Sequence, residues 1–141
     1  MARVKIQPPE GIAFTTDLPL RITDMNYGGH LGNDSLLSLL HEARVQFFKS
    51  IGYSEMDFGG HGLIMADVAV QYRSEAFAGE TLRIGIQPYD FTITGFDLYY
   101  EVTCASDQRL VAMAKTCMVC FDYTHKKMVD VPEAFRNQFT R

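Results

Sequence analysis

The sequence has no long apolar run. Its hydrophobic stretches last only a few residues, whereas a bilayer span needs about 20, so nothing in it is expected to cross a membrane. It has no basic block either: 13 Lys and Arg stand against 17 Asp and Glu, for a net charge of −4. Binding to a phosphate backbone draws on clustered cations, so nucleic acid is not expected as a main partner. The opening Met1-Ala2-Arg3-Val4-Lys5 carries basic residues with no apolar segment after them. A secretory leader is therefore not expected.

Cysteine is scarce and odd in number: Cys104, Cys117 and Cys120. No leader and no regular spacing accompany them, so a reducing, cytoplasmic location is expected rather than a disulfide framework. Cys117-Met118-Val119-Cys120 matches C-x-x-C by letter but falls in a run that reads as a strand. Residues three apart on a strand point to opposite faces, so the two sulfurs are not expected to meet. No second Cys pair or His pair stands at ligand spacing, and neither a metal nor an organic cofactor is expected. Repeats, low-complexity stretches and linkers are missing too, so one domain over 1–141 is expected. A chain of this length buries roughly 68–70% of its unfolded-state surface, which suffices for a core without staples.

What is present is patterned. Ile12 to Thr23 reads as a strand interrupted by Pro19, which implies a bend or an unpaired edge. Asp24 to Asn33 holds three glycines in ten residues and reads as a loop. From Asp34 to Ile51, Leu36, Leu40, Ala43, Phe47 and Ile51 recur at spacings of three and four, widened by Leu37, Leu39 and Phe48. That predicts a helix, with Ser38, Glu42, Gln46 and Lys49 on its polar stripe. Asn33 is the predicted N-cap, Asp34 complements the helix dipole, and Gly52 is the predicted stop.

The remainder alternates as β: Ile64 to Arg73, Leu82 to Gln87, Phe96 to Cys104 and Leu110 to Tyr123, with turns at Ala78-Gly79-Glu80 and Ser106-Asp107-Gln108. Short turns imply an antiparallel sheet, and one long helix against it gives an α+β arrangement. A short amphipathic tail follows Pro132.

The loop before the helix carries the chemistry. Asn26, His30, Asn33 and Asp34 crowd into nine residues. Gly28, Gly29 and Gly32 let backbone approach a ligand, and the first helical turn offers unpaired N–H groups to the same space. Such a place can hold negative charge developing on an oxygen, as in acyl transfer. His30 is the group there suited to acid–base work near neutral pH.

This segment resembles the hotdog-fold acyl-thioester hydrolases of the 4-hydroxybenzoyl-CoA thioesterase kind. Their common pattern is close to D-x-D-x-x-G-H-V-N-N ahead of a helix ending in E-x-A-R. Here it stands as Asp24-Met25-Asn26-Tyr27-Gly28-Gly29-His30-Leu31-Gly32-Asn33, then His41-Glu42-Ala43-Arg44. Val68 to Arg73, followed by Phe77-Ala78-Gly79-Glu80, resembles the family's next signature. The resemblance implies a hotdog fold, a long helix wrapped by a curved antiparallel sheet of about five strands. It also implies subunits paired as a homodimer or homotetramer, with active sites at the interface. Its substrate would be an acyl-CoA or acyl-carrier-protein thioester. Two departures stand out: Asn26 replaces the catalytic aspartate of many relatives, and Gly32 replaces the first Asn of the N-N pair. An amide is no general base near pH 7.

The expected site follows from both readings. His30 deprotonates water, Asn26 orients the water or the carbonyl, and Asp34 or Glu42 supplies a helping carboxylate. Backbone N–H groups near Gly32 and Asn33 hold the oxyanion beside Gly29. Arg73 or Arg44 meets coenzyme A phosphates, against surface pairing as the default for each. His61, beside Gly60 and Gly62, is expected to be a loop residue. Two other functions share these features: a non-catalytic acyl-thioester binding module, which Asn26 favours, and a hotdog hydroxyacyl-thioester dehydratase.

Overall fold

The structure, a computed structural model, describes residues 2–140; Met1 and Arg141, the ends of the expected 1–141 domain, lie outside the described residues. Strand β1 runs Phe14–Pro19, shorter than its β-branched content predicts. Proline has no N–H to give a ladder, and Pro19 is the last residue of this edge strand. A 3-10 turn over Ile22–Asp24 then leads into the glycine-rich loop.

Helix α1 spans Asn33–Ser50, one residue from the predicted bound at each end. Its N-cap is Gly32 rather than Asn33, and no side chain caps it. The Gly32 backbone is extended (φ −79°, ψ 153°), as a cap requires, and its N–H donates to the Asp24 carbonyl at 3.0 Å. That bond places the chain's turn one residue early and draws Asn33 into the first helical turn. Gly52, at φ +84°, ends the helix as predicted, in the left-handed region that glycine enters without penalty. Leu36, Leu40, Ala43, Phe47 and Phe48 are buried, while Leu37 is 42% exposed and faces away from the core.

Four long strands follow: β2 Gly62–Tyr72, β3 Thr81–Tyr89, β4 Gly95–Cys104 and β5 Leu110–Asp122. Short β6 Lys127–Met128 and helix α2 Glu133–Phe139 complete the chain. Every pairing is antiparallel, in the order β1-β3-β4-β5-β2, with β6 on β5. The expected α+β hotdog arrangement is therefore what forms. One core joins the buried face of α1 to Leu82, Ile84, Ile86, Leu98, Val102, Ala114 and Met118 of the sheet. At the far end of α1, Phe47, Phe48, Phe58, Phe96 and Phe135 stack and meet edge to face. Ile6, Tyr99 and Met113 form a smaller cluster on the other face of the sheet. Cys120 is buried and Cys117 only half-buried, consistent with sulfurs on opposite faces.

Edge strand β2 differs from its neighbours. Its register shifts between Met65 and Asp67, a bulge that increases local twist. Met65, Val68 and Tyr72 are exposed along it, and Met65 and Val68 share a groove with Leu37 of α1. Among the described residues, no helix is long and apolar enough to cross a membrane.

Candidate active site

Asn26 is the hub of the loop. Its N–H donates to the His30 carbonyl at 2.8 Å, and its own carbonyl accepts the Gly29 N–H at 3.0 Å. Its side-chain Oδ1 accepts the Gly28 N–H at 2.9 Å and the His30 N–H at 3.4 Å. Gly29 stands at φ +81°, where a Cβ would be strained. A bridge between Met25 and Leu31 closes the loop. Asp24 fixes its base: this buried carboxylate accepts the Arg21 N–H at 2.8 Å, and the Arg21 guanidinium lies 3.4 Å away.

This geometry settles the orientation of the Asn26 amide. Two backbone N–H groups converge on Oδ1, so Nδ2, which only donates, has no partner among the described residues. Where a carboxylate would present a second acceptor, this loop presents a donor.

Beside the loop lies a cleft of about 300 Å³. Half-buried His30 and exposed Asn33 border it on one side, and Tyr72, Arg73, Ser74 and Glu75 on the other. Leu31, Leu36, Ala76 and Val111 give it a buried apolar lining. The wall after β2 is tied down: the Arg73 and Ser74 N–H groups donate to the Val111 carbonyl at 2.9 and 3.2 Å. The loop is tied to that wall in turn, because the Leu31 N–H donates to the Ala76 carbonyl at 2.8 Å.

The structure thus brings His30, Asn33 and Arg73 around one cleft, with Asn26 and Gly29 shaping the loop that carries His30. The first bond within α1 runs from the Leu36 N–H to the Gly32 carbonyl at 3.0 Å. The N–H groups of Asn33, Asp34 and Ser35 therefore have no helical partner, and no cap side chain takes them. The expectation that the Gly32 N–H serves as a donor is corrected, since Asp24 already engages it.

The other candidates separate. Asp34 folds back toward the cap: its Oδ1 lies 2.8 Å from where a Gly32 Cβ would stand, and it does not line the cleft. Glu42 lies eight residues further along α1, about 12 Å of helix. It borders a different cleft with Arg21, Asp24 and Ser38, and its carboxylate accepts the Gln46 amide at 2.7 Å. Within one subunit it is not brought to His30. The cause is the helix stripe itself, which turns Gln46 toward Thr16 of β1, on the flank away from β2.

Arg44 is neither a phosphate contact nor a surface pair. It is 6% exposed, donating to Glu55 at 3.0 Å and to the Tyr100 hydroxyl at 3.1 Å. Burial works against its charge, but Tyr100 and Glu55 more than offset this and its pKa is raised. His61 is exposed in the turn before β2, as expected. Tyr72 and Glu75 went unread in the sequence as cleft residues. Tyr72 ends an alternating strand, and partial burial pushes its pKa up.

With this geometry in view, comparison with known proteins is specific. Residues 20–139 match the model of the thioesterase-like superfamily. A 1,4-dihydroxy-2-naphthoyl-CoA hydrolase from Nostoc punctiforme is 25% identical over 125 residues, covering 86% of this chain and 83% of that protein. Among solved structures, a 1,4-dihydroxy-2-naphthoyl-CoA thioesterase from Synechocystis aligns with TM-score 0.81 at 21% identity, over 89% of this chain and 94% of that one. A thioesterase from Thermus thermophilus, solved with coenzyme A and zinc, aligns with TM-score 0.79 at 21% identity, over 93% of this chain and 100% of that one. The match over residues 20–139, on a helix-and-sheet frame shared with these structures, shows the family: the chain belongs to the thioesterase-like superfamily.

Proposed function

We propose that the protein hydrolyses acyl-CoA thioesters, that His30 is its general base and that the acyl group lies in the cleft His30 borders. The supporting observation is that His30, Asn33 at the uncapped start of α1 and an apolar lining border one cleft. Water attacks the thioester carbonyl carbon while His30 takes its proton. The carbonyl π electrons move onto oxygen, where N–H groups of Asn33, Asp34 or Ser35 and the Asn26 Nδ2 donate to the oxyanion. Collapse reforms the carbonyl and breaks the C–S bond. The imidazolium returns the proton to the departing thiolate, leaving acid and thiol. One well-placed oxyanion donor is worth roughly 2.7–4 kcal/mol, and each tenfold in rate needs about 1.4 kcal/mol, so this set is sufficient. No step calls on a metal or an organic cofactor.

The acyl class we propose is compact and aromatic. Tyr72, Leu31, Leu36 and Val111 offer flat and branched apolar surface in a cleft of about 300 Å³, and the curated relatives act on a naphthoyl thioester. Arg73 lies at the rim, outside every ion pair of the described residues, and would meet a coenzyme A phosphate. We further propose that two copies join along β2, where Met65, Val68 and Tyr72 are exposed at an unpaired sheet edge. This would place a partner subunit beside the cleft. Three unpaired cysteines suit a reducing cytoplasm.

Thiol release from a panel of acyl-CoAs tests the reading. Benzoyl- and naphthoyl-type thioesters are expected to have kcat/KM at least about tenfold above palmitoyl-CoA, a difference of about 1.4 kcal/mol in transition-state binding. A preference for the long chain would contradict the compact aromatic class.

A further inference from the structure

The wall opposite His30 is not regular structure. Residues 73–80 run between β2 and β3 outside any helix or strand, yet Ala76 in that segment holds Leu31, the neighbour of His30. Backbone bonds to Val111 and Leu20 hold its two ends, and one side chain from another turn braces its middle. Arg109, just before β5, sends its Nε and Nη2 to the Glu75 carbonyl at 3.3 and 3.1 Å. Its Nη2 also donates to Glu80 at 2.7 Å and its Nη1 to Asp107 at 2.6 Å. Glu80 in turn accepts the Phe77 N–H at 2.8 Å, fixing the far side of the same segment. The guanidinium is planar and five-donored, so it can serve three acceptors at once in a fixed geometry; an ammonium on a flexible stem cannot.

We propose that Arg109 is a positioning residue for His30, acting through the Glu75–Ala76 wall and the Ala76–Leu31 hydrogen bond. It touches neither substrate nor the reacting atoms. The inference rests on the proposed role of His30. Both carboxylates of the brace are held below their ordinary pKa values. The Arg109 side-chain hydrogen bond holds Glu80 below its ordinary value, and the Arg109 backbone N–H, followed by its guanidinium, does the same for Asp107. A comparable fork elsewhere, Arg83 on Asp17 at 2.9 and 3.0 Å, joins β1 to β3 and supplies a control.

The test uses Arg109→Lys, with Arg83→Lys beside it. Lysine keeps a cation near Glu80 and Asp107, so the variant is expected to fold with a thermal midpoint close to wild type, but it cannot also hold Glu75. Hydrogen exchange of the Leu31 amide, read by NMR, is expected to quicken by about tenfold in Arg109→Lys and to stay unchanged in Arg83→Lys. On the best acyl-CoA of the panel, kcat is expected to fall roughly ten- to a hundredfold in Arg109→Lys, the scale of a base displaced by about 1 Å. KM should move much less, and Arg83→Lys should keep wild-type turnover. Unchanged Leu31 exchange would overturn the proposal whether or not His30 is the base, because that reading needs no activity. Faster exchange with wild-type kcat would overturn it as well, leaving Arg109 a support of the wall alone. Loss of kcat equal in the two lysine variants would mark a general effect of fewer ion pairs and would also overturn it.

Discussion

Asn26 donates where a carboxylate would accept, and its substitution is accordingly asymmetric. Asn26→Ala removes the donor and both acceptor bonds to the loop, so turnover should drop by roughly one to two decades, the scale of one or two hydrogen bonds. Asn26→Asp keeps the acceptor for Gly28 and His30 but turns the free edge into a charge beside the forming oxyanion. Turnover is expected to fall by at least about tenfold. The new charge should also raise the His30 pKa, because a nearby carboxylate favours imidazolium, so the acid limb of the pH–rate profile should move to higher pH. A faster Asn26→Asp enzyme with an unmoved limb would mean that the site still works as a carboxylate site. Arg44 governs stability instead. Arg44→Ala strands Glu55 and Tyr100 against the core and should cost about 3 kcal/mol, measurable by urea unfolding. A change below about 0.5 kcal/mol, ordinary for a surface residue, would contradict its placement.

In the proposed site, the start of α1 gives up a stabilising cap and leaves its amides to the oxyanion. Helices gain from a Ser or Asp cap, and this one has glycine. Gly32→Ser meets only the flexible Asp34 carboxylate, whose Oδ1 lies 2.8 Å from the added Cβ, with nothing else closer than 3.6 Å. The hydroxyl can then cap an N–H of the first turn. Stability should hold or rise by about a few tenths of a kcal/mol, while turnover drops because an oxyanion donor has been taken. Undiminished turnover with the cap formed would exclude those amides from catalysis. Elements such as α1 and the long strands were legible in the sequence because periods of 3.6 and 2 reveal which face is buried. The cap was not, since composition favours Asn33 and only the long-range frame tying Gly32 to Asp24 moves it. The cleft wall was legible only at Arg73: Tyr72 and Glu75 join the site because strand β2 ends beside a loop about 40 residues earlier, a juxtaposition that no local period records. Glu42 shows the converse, since its polar stripe was read correctly while the flank it faces depends on where β1 lies.

At the scale of the molecule, the exposed apolar edge of β2 is where the proposed second copy would pack. Sedimentation equilibrium at micromolar concentration should give at least twice the 15.9 kDa of one chain. A monomer alone would contradict the β2 pairing. Acid should weaken the fold through the ion pairs that join its turns. Because the Arg109 hydrogen bond lowers the Glu80 pKa from an ordinary 4.5, Glu80 contributes stability that is present above that value and is lost as pH falls through the depressed one. Thermal midpoints of Glu80→Gln should therefore lie below wild type at pH of about 6 and approach it at about 3. The account as a whole turns on His30, and its most direct test is thiol release by His30→Ala on the best acyl-CoA, with the thermal midpoint measured on the same sample. The variant is expected to keep its midpoint and lose on the order of 10²–10⁴ in kcat; a folded His30→Ala protein retaining more than about a third of wild-type turnover would contradict the account, because loss of a positioned base predicts a far larger drop.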